Sequence, residues 1–115
     1  MELSVVVPIL NEQENIRELH KRLSKTLNTL TEAYEIIAID DGSTDGSSAL
    51  LDKISQHAPN VRVLHFDRNH GQTAALDAGF RHAKGELIAT LDGDLQYDPT
   101  DITKLLPLTK EYDLV

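Results

Sequence analysis

The chain has 115 residues, the length of one domain, and 40% of them are apolar, enough for a packed core. Its 11 basic against 19 acidic residues give a formal charge of −8, which argues against a nucleic-acid-binding module built on a basic face and suits a cation site. With no cysteine, a disulfide framework, a thiolate zinc site and a cysteine nucleophile are all excluded.

Strand-like and helix-like segments alternate along the chain. Leu3 to Pro8 (LSVVVP) is a short β-branched run of the kind buried on both faces of a sheet. It has no basic leader and turns acidic at once, so it does not read as a signal peptide, and no apolar run approaches the ~20 residues of a membrane span. Asn11 is expected to cap a helix that Glu12 begins, with Ile16, Leu19, Leu23, Leu27 and Leu30 recurring at helical spacing. Glu35 to Ile39 (EIIAI) is a second buried strand, followed by the capping-rich turn Asp40 to Asp45 (DDGSTD). Leu50, Leu51, Ile54 and Ala58 stripe the next helix, which Pro59-Asn60 ends.

Val61 to Phe66 (VRVLHF) is a third strand and Asp67 to Gly71 (DRNHG) a loop. Ala75, Leu76, Gly79, Phe80 and Ala83 mark a helix with a small-residue face, stopped near Gly85. Glu86 to Leu91 (ELIATL) is a fourth strand, with Asp92 to Gln96 (DGDLQ) at its carboxyl end. Asp98-Pro99 caps a further helix, and Tyr112 to Val115 begins a fifth strand. The order βαβαβαβαβ predicts an α/β fold: a Rossmann-like parallel sheet with helices on both faces and right-handed crossovers. Ending inside a strand, the chain reads as the first part of a longer domain.

In such sheets ligands bind beyond the carboxyl ends of the strands. Every polar cluster falls there: PILNE, DDGSTD, DRNHG and DGDLQ after strands one to four. Asp92 and Asp94, two residues apart around Gly93, can converge on one cation, and Gln96 adds a carbonyl oxygen. The same residues would equally serve as a capped turn ahead of the Asp98-Pro99 helix. In DDGSTD, spacing favours a capping role for Ser43, Thr44 and Asp45 and leaves Asp41, at the strand end, as the better ligand contact. Pro8, Leu10 and Glu12 offer an apolar wall and one acceptor, suited to a base edge as well as to a strand exit and helix start. Asn69-His70-Gly71-Gln72 precedes a helix whose N-terminal amides can meet a phosphate, although His70 is as readily an ordinary loop residue. The five histidines lack HxxxH and HExxH spacing, so a histidine-built zinc site is not expected. No GxGxxG, GxxxxGK[ST] or GxSxG occurs, which argues against nucleotide-dependent dehydrogenases, P-loop NTPases and α/β-hydrolases.

Four segments carry a resemblance: VVVPILNEQENI, YEIIAIDDGSTDGS, LHFDRNHGQTAALDAGF and RHAKGELIATLDGDLQYDP. In order and spacing they resemble family 2 glycosyltransferases of the GT-A fold, over nearly the whole chain. The subgroup they most resemble is the polyprenyl-phosphate (dolichyl-phosphate-type) transferases, mainly through NHGQTAALDAGF and DGDLQYDP. The resemblance implies that the chain is the nucleotide-sugar-binding half of a GT-A domain. By that correspondence Pro8, Leu10 and Glu12 line the base, while Ile39 and Asp41 form a second base and ribose wall. Gly71 stands near the donor. Asp92, Gly93 and Asp94 meet ribose and diphosphate, with Asp92 and Asp94 as the catalytic pair and Asp92, Asp94 and Gln96 as ligands of Mg²⁺ or Mn²⁺. Leu10 stands where some relatives stack an aromatic ring, and Gly93 where many have alanine; neither change touches metal ligation.

The implied reaction is inverting transfer of a sugar from a UDP- or GDP-linked donor to an acceptor, expected to be a polyprenyl phosphate. The full-length protein is expected at the cytoplasmic face of a membrane, reached through parts that follow this chain, and the fragment alone is expected to be inactive. A family 2 transferase acting on a cell-wall or lipopolysaccharide saccharide, and a non-catalytic nucleotide-sugar-binding module, are the alternatives. A nucleotidyltransferase fits less well, because PILNEQEN has neither the glycines nor the lysine of its first loop.

Overall fold

The computed structural model describes residues 2–30 and 33–91. Within that range each expected apolar run is a strand: β1 (Leu3–Ile9), β2 (Tyr34–Asp40), β3 (Val61–His65) and β4 (Leu87–Thr90). All pairings are parallel, in the order β3-β2-β1-β4. The helices between them are α1 (Ile16–Leu30), α2 (Ser47–His57) and α3 (Gln72–His82). Among the described residues no helix is long and apolar enough to cross a membrane. The helix expected from Asp98-Pro99 and the strand expected at Tyr112–Val115 lie outside the described residues.

Strand periodicity sorts the core into two layers, because successive side chains point to opposite faces. Val5, Val7, Ile9, Ile36 and Ala38 face α1 and α2, where they meet Ile16, Leu19, Leu23, Leu27 and Leu51. Val6, Ile37 and Ile39 face α3 and meet Ala75. The four α1 side chains are each at most 5% exposed, and burial of each stabilises the fold by roughly 1.5–3 kcal/mol. The α3 layer is thin by composition: a Cβ on Gly79 would lie 2.2 Å from Val6 Cγ1, so the helix can approach β1 this closely only with glycine there. Ala58, next to Pro59, is extended (φ −125°, ψ 98°), which ends α2 where proline disfavours helix in the preceding residue.

Register sets the shape of the upper edge. β1 and β2 pair residue for residue from Leu3 with Tyr34 to Ile9 with Asp40, and His65 of β3 pairs with Asp40. Ile9, Asp40 and His65 therefore form one row. The β1–β4 ladder stops earlier, at Val6 with Thr90. Pro8 falls beyond that last pair, so its missing N–H leaves no ladder bond unmade and a proline is tolerated in a central strand.

The lower edge is fastened by a buried carboxylate. Glu35, 2% exposed, accepts hydrogen bonds from Ser4 Oγ (2.6 Å), Arg62 Nη1 (3.0 Å) and the Lys84 backbone N–H (2.7 Å). Ser4 Oγ in turn accepts the Gly85 N–H at 2.8 Å, and a Cβ on Gly85 would lie 2.6 Å from the Ser4 nitrogen. The turn from α3 into β4 is thus held against the start of β1. Burial alone would raise the Glu35 pKa, but the bonds from Ser4, Lys84 and Arg62 together outweigh it and hold the carboxyl below its usual range.

Candidate functional site

Because β1 and β2 end flush, the loops that leave them run side by side, and their polar residues bond to each other. The Asn11 N–H donates to Ser43 Oγ (3.0 Å), and Asn11 Oδ1 accepts the N–H groups of Thr44 (2.8 Å) and Asp45 (3.3 Å). The Glu12 N–H donates to Ser47 Oγ (3.0 Å), and Gln13 Oε1 accepts the Gly46 N–H (2.8 Å). These bonds correct two expectations. Asn11 does not cap a helix at Glu12: α1 begins at Ile16, and Asn11 adopts φ 53°, a left-handed conformation that asparagine tolerates. Ser43 and Thr44 do not cap α2; of the three residues proposed as caps, only Asp45 serves its first turn, accepting the Ser47 N–H at 2.8 Å. In both cases a partner on the adjacent loop outcompetes the local one.

The residues expected to meet the donor fall into three groups. Pro8, Leu10, Glu12, Asp41 and Gly71 all stand at the carboxyl edge of the sheet. Leu10 is the exposed large hydrophobic residue of the described chain, at 40%, so an apolar surface is presented to solvent just beyond β1. The Glu12 carboxylate accepts a hydrogen bond from Asn15 Nδ2 at 2.8 Å, which holds it over the start of α1. Ile39 lies one layer deeper, fully buried beneath α3 with Val6 and Ile37, so its own neighbours cover the wall it was expected to offer. Asp92, Gly93, Asp94 and Gln96 lie outside the described residues.

Asp41 is already engaged by the protein. Its carboxylate accepts the backbone N–H groups of His70 (2.7 Å) and Gly71 (3.1 Å), the two loop amides just ahead of α3. Gly71 has φ 96° and ψ 160°, a conformation essentially confined to glycine, and among the described residues nothing lies within 4 Å of where its Cβ would be. No described residue therefore fills the head of α3 on the Gly71 side. Gly42, at φ 76°, passes the same loop so closely that a Cβ would sit 2.3 Å from the Arg68 carbonyl carbon. Phe66 packs edge-on against the His70 ring, with centroids 5.3 Å apart.

Sequence reasoning missed a cluster on the other face of the same edge. Asp40 Oδ1 accepts the Ser43 N–H (2.9 Å), and Asp40 Oδ2 lies 2.8 Å from His65 Nδ1. His65 Nε2 lies 2.7 Å from Asp52 Oδ1 of α2. No sequence spacing joins residues 40, 52 and 65; the row formed by β2 and β3 does.

The edge as a whole gathers Glu12, Asp40, Asp41, Asp45 and Asp67, yet among the described residues no group of three or more His, Asp or Glu is disposed to hold a metal ion. The Leu91 N–H donates to the Val6 carbonyl at 3.1 Å, so Leu91 is docked against β1 two positions short of Pro8.

The family model described as glycosyl transferase family 2 matches residues 4–115. The chain belongs to glycosyl transferase family 2. Among family 2 relatives, it is 45% identical to the undecaprenyl-phosphate 4-deoxy-4-formamido-L-arabinose transferase of Salmonella choleraesuis, with the alignment covering 98% of this chain and 35% of the relative. The chain thus spans about a third of the length of the curated relatives it matches. Solved structures share the fold. A crystal structure of S. aureus TarS in complex with UDP-GlcNAc superposes with a TM-score of 0.75 at 24% identity, covering 98% of this chain and 32% of that one. The mannosyltransferase PcManGT of Pyrobaculum calidifontis, in complex with GDP-Man and Mn²⁺, gives 0.74 at 23% identity over 89% of this chain and 30% of that one. The glucosyl-3-phosphoglycerate synthase of Mycobacterium tuberculosis, with Mn²⁺, UDP and phosphoglyceric acid, gives 0.70 at 26% identity over 93% and 38%. The family 2 chain therefore has the GT-A fold that its segment order implied, with the parallel sheet and two-sided helix layers described above.

Proposed function

We propose that the full protein containing this chain is an inverting, metal-dependent glycosyltransferase that moves a sugar from a UDP- or GDP-linked donor to a polyprenyl phosphate. This chain would be its donor- and metal-binding half. The observation that carries the reading is the 45% identity, over 98% of the chain, to relatives named for sugar transfer to undecaprenyl phosphate. The solved GT-A structures that hold UDP, UDP-GlcNAc or GDP-Man support a nucleotide-sugar ligand.

The edge fits such a donor in kind. A base needs an apolar wall with one acceptor, and Pro8, exposed Leu10 and Glu12 supply both where β1 ends. Asp41 keeps the head of α3 fixed to β2, and the bare Cα of Gly71 leaves room for the donor to approach. A diphosphate is anionic and so is this edge, so a cation has to stand between them. Asp92, Asp94 and Gln96 would hold Mg²⁺ or Mn²⁺, which when bound neutralises charge on the departing nucleoside diphosphate. A lipid phosphate is already ionised at neutral pH, so attack by its oxygen at the anomeric carbon needs no strong general base from this half. A lipid acceptor and a nucleotide-sugar donor together would put the full protein at the cytoplasmic face of a membrane.

Calorimetric titration of the full-length protein with UDP and GDP, with and without Mn²⁺, tests the reading. Metal-dependent binding of one nucleotide is expected, with its loss in Asp94→Ala while the circular dichroism spectrum stays that of the parent. Absence of metal-dependent binding by either nucleotide, or unchanged binding in Asp94→Ala, overturns it. Transfer assayed on undecaprenyl phosphate against a saccharide acceptor then separates the acceptor classes.

A further inference from the structure

We propose that His65 is a positioning residue for donor binding, tying the DDGSTD loop to α2 through Asp40 on one side and Asp52 on the other. The proposal rests on the donor-edge reading above. Its ground is the geometry of the two ring nitrogens. Nδ1 lies 2.8 Å from Asp40 Oδ2 and Nε2 lies 2.7 Å from Asp52 Oδ1. A carboxylate only accepts, and a neutral imidazole carries one N–H, so both contacts are hydrogen bonds only when the ring is an imidazolium.

The clamp has a direct line to the site. Asp40, 2% exposed, uses its other oxygen to accept the Ser43 N–H at 2.9 Å, and Ser43 Oγ accepts the Asn11 N–H at 3.0 Å. Asn11 separates Leu10 from Glu12, and Asp41 is the next residue after Asp40. His65 thus acts on both loops from the opposite face of the edge.

Every group facing the ring favours its charged form or is neutral. Asp40 comes from β2, and Asp52 and Ser48 come from α2, with Ser48 Oγ 3.2 Å from Nδ1. The nearest base on its own strand, Arg62, belongs to the opposite face and pairs with Glu35. The Asp52 bond raises the His65 pKa above 6.5; burial opposes it, and the Asp40 bond adds to the rise. When the ring loses its proton, Nδ1 can accept from the Ser48 hydroxyl while Nε2–H stays on Asp52. Asp40 is then the partner released. With Asp40 and Asp52 ionised, the clamp is present below the elevated His65 value and is lost as pH rises through it.

The test uses the full-length protein and two variants, His65→Gln and His65→Arg. The readouts are amide exchange protection of Ser43, the NMR titration of the His65 ring, and the Kd of UDP and GDP with Mn²⁺ at pH 6 and pH 9. In the parent, Ser43 protection is expected to fall by about tenfold across the ring titration, and nucleotide Kd to rise several-fold with it. Glutamine, neutral at every pH, gives low protection and weak binding throughout; arginine, charged at every pH, gives high protection with no step. Equal Ser43 protection in parent and His65→Gln across this range overturns the proposal, as does a protection step with unchanged nucleotide Kd. If the parent binds neither nucleotide, it is the donor reading that fails, and the loop clamp is still decided by the Ser43 step.

Discussion

The carboxylate of Asp41 accepts the backbone N–H of His70 at 2.7 Å, and through its second oxygen that of Gly71 at 3.1 Å. One buried side chain thereby joins the end of β2 to the head of α3. Asparagine in its place keeps the shape but turns an NH₂ group toward one of two amides that can only donate. Asp41→Asn is expected to lose about 2–3 kcal/mol of stability, the worth of hydrogen bonds to a charged acceptor plus an unpaired buried donor. Urea unfolding measures this directly. A variant as stable as the parent would show that solvent, not Asp41, satisfies those amides.

Gly42 and Gly71 both need positive φ, but for different surroundings. A Cβ on Gly42 would stand 2.3 Å from the Arg68 carbonyl carbon and 2.5 Å from the Asn69 nitrogen, backbone atoms that cannot swing aside. Gly42→Ala is therefore expected to cost about 3 kcal/mol or more, from strain and overpacking together. At Gly71 only the conformational cost applies, about 1–3 kcal/mol, because no described residue meets the added Cβ. Denaturant midpoints should rank Gly42→Ala well below Gly71→Ala. In nucleotide binding Gly71→Ala should show an effect larger than its stability loss explains; the reverse stability ranking would refute the close approach of the two loops.

Asn11 is expected to act as a cross-link between loops rather than as a helix cap. Asn11→Ala removes the acceptor for the Thr44 and Asp45 amides and places alanine at φ 53°, costing about 1–2 kcal/mol. Asn11→Gly removes only the bonds. A double-mutant cycle between Asn11→Gly and Thr44→Pro, which deletes the amide partner, should show coupling above about 0.5 kcal/mol. Strict additivity would mean that the two loops do not support each other.

Acid stability should report on Glu35. Its folded pKa lies below 4.5, so its contribution is present above that value and is lost as pH falls through the depressed folded value. Glu35→Gln is expected to lower stability at pH 7 by about 3 kcal/mol, since Arg62 and the Lys84 amide lose a charged partner, and to flatten stability between pH 5 and pH 3. Nucleotide binding should be unaffected at temperatures where the variant is folded, because Glu35 stands at the far end of the sheet. An unchanged acid limb would place the acid sensitivity elsewhere.

Much of this protein is legible in its sequence. The β-branched runs at Leu3, Glu35, Val61 and Glu86 and the helical spacing of Ile16, Leu19, Leu23 and Leu27 follow from local periodicity, and periodicity is written in sequence. Ordered polar clusters at successive strand ends were enough to expect a parallel sheet with its site along one edge, and family membership followed from the same segments. Helix boundaries are less legible: Glu12 reads as a helix start, yet the helix begins at Ile16, because Asn11 Oδ1 is taken by the Thr44 and Asp45 amides and Ser43 Oγ by the Asn11 N–H.

What only the tertiary structure decided is which polar groups face a ligand and which face the protein. In sequence, Asp41 reads as a ligand contact at the strand end, and nothing there assigns a partner to Asp40. In the sheet, the alternation of side chains sends Asp40 toward His65 and α2, and Asp41 toward His70, Gly71 and α3. Burial of Ile39 beneath α3, the flush ends of β1 and β2, and the meeting of Asp40, Asp52 and His65 are likewise products of register, which depends on pairing between segments far apart in the chain. Local chemistry therefore determined the elements and the edge, and long-range pairing determined which side chain at that edge is free to act.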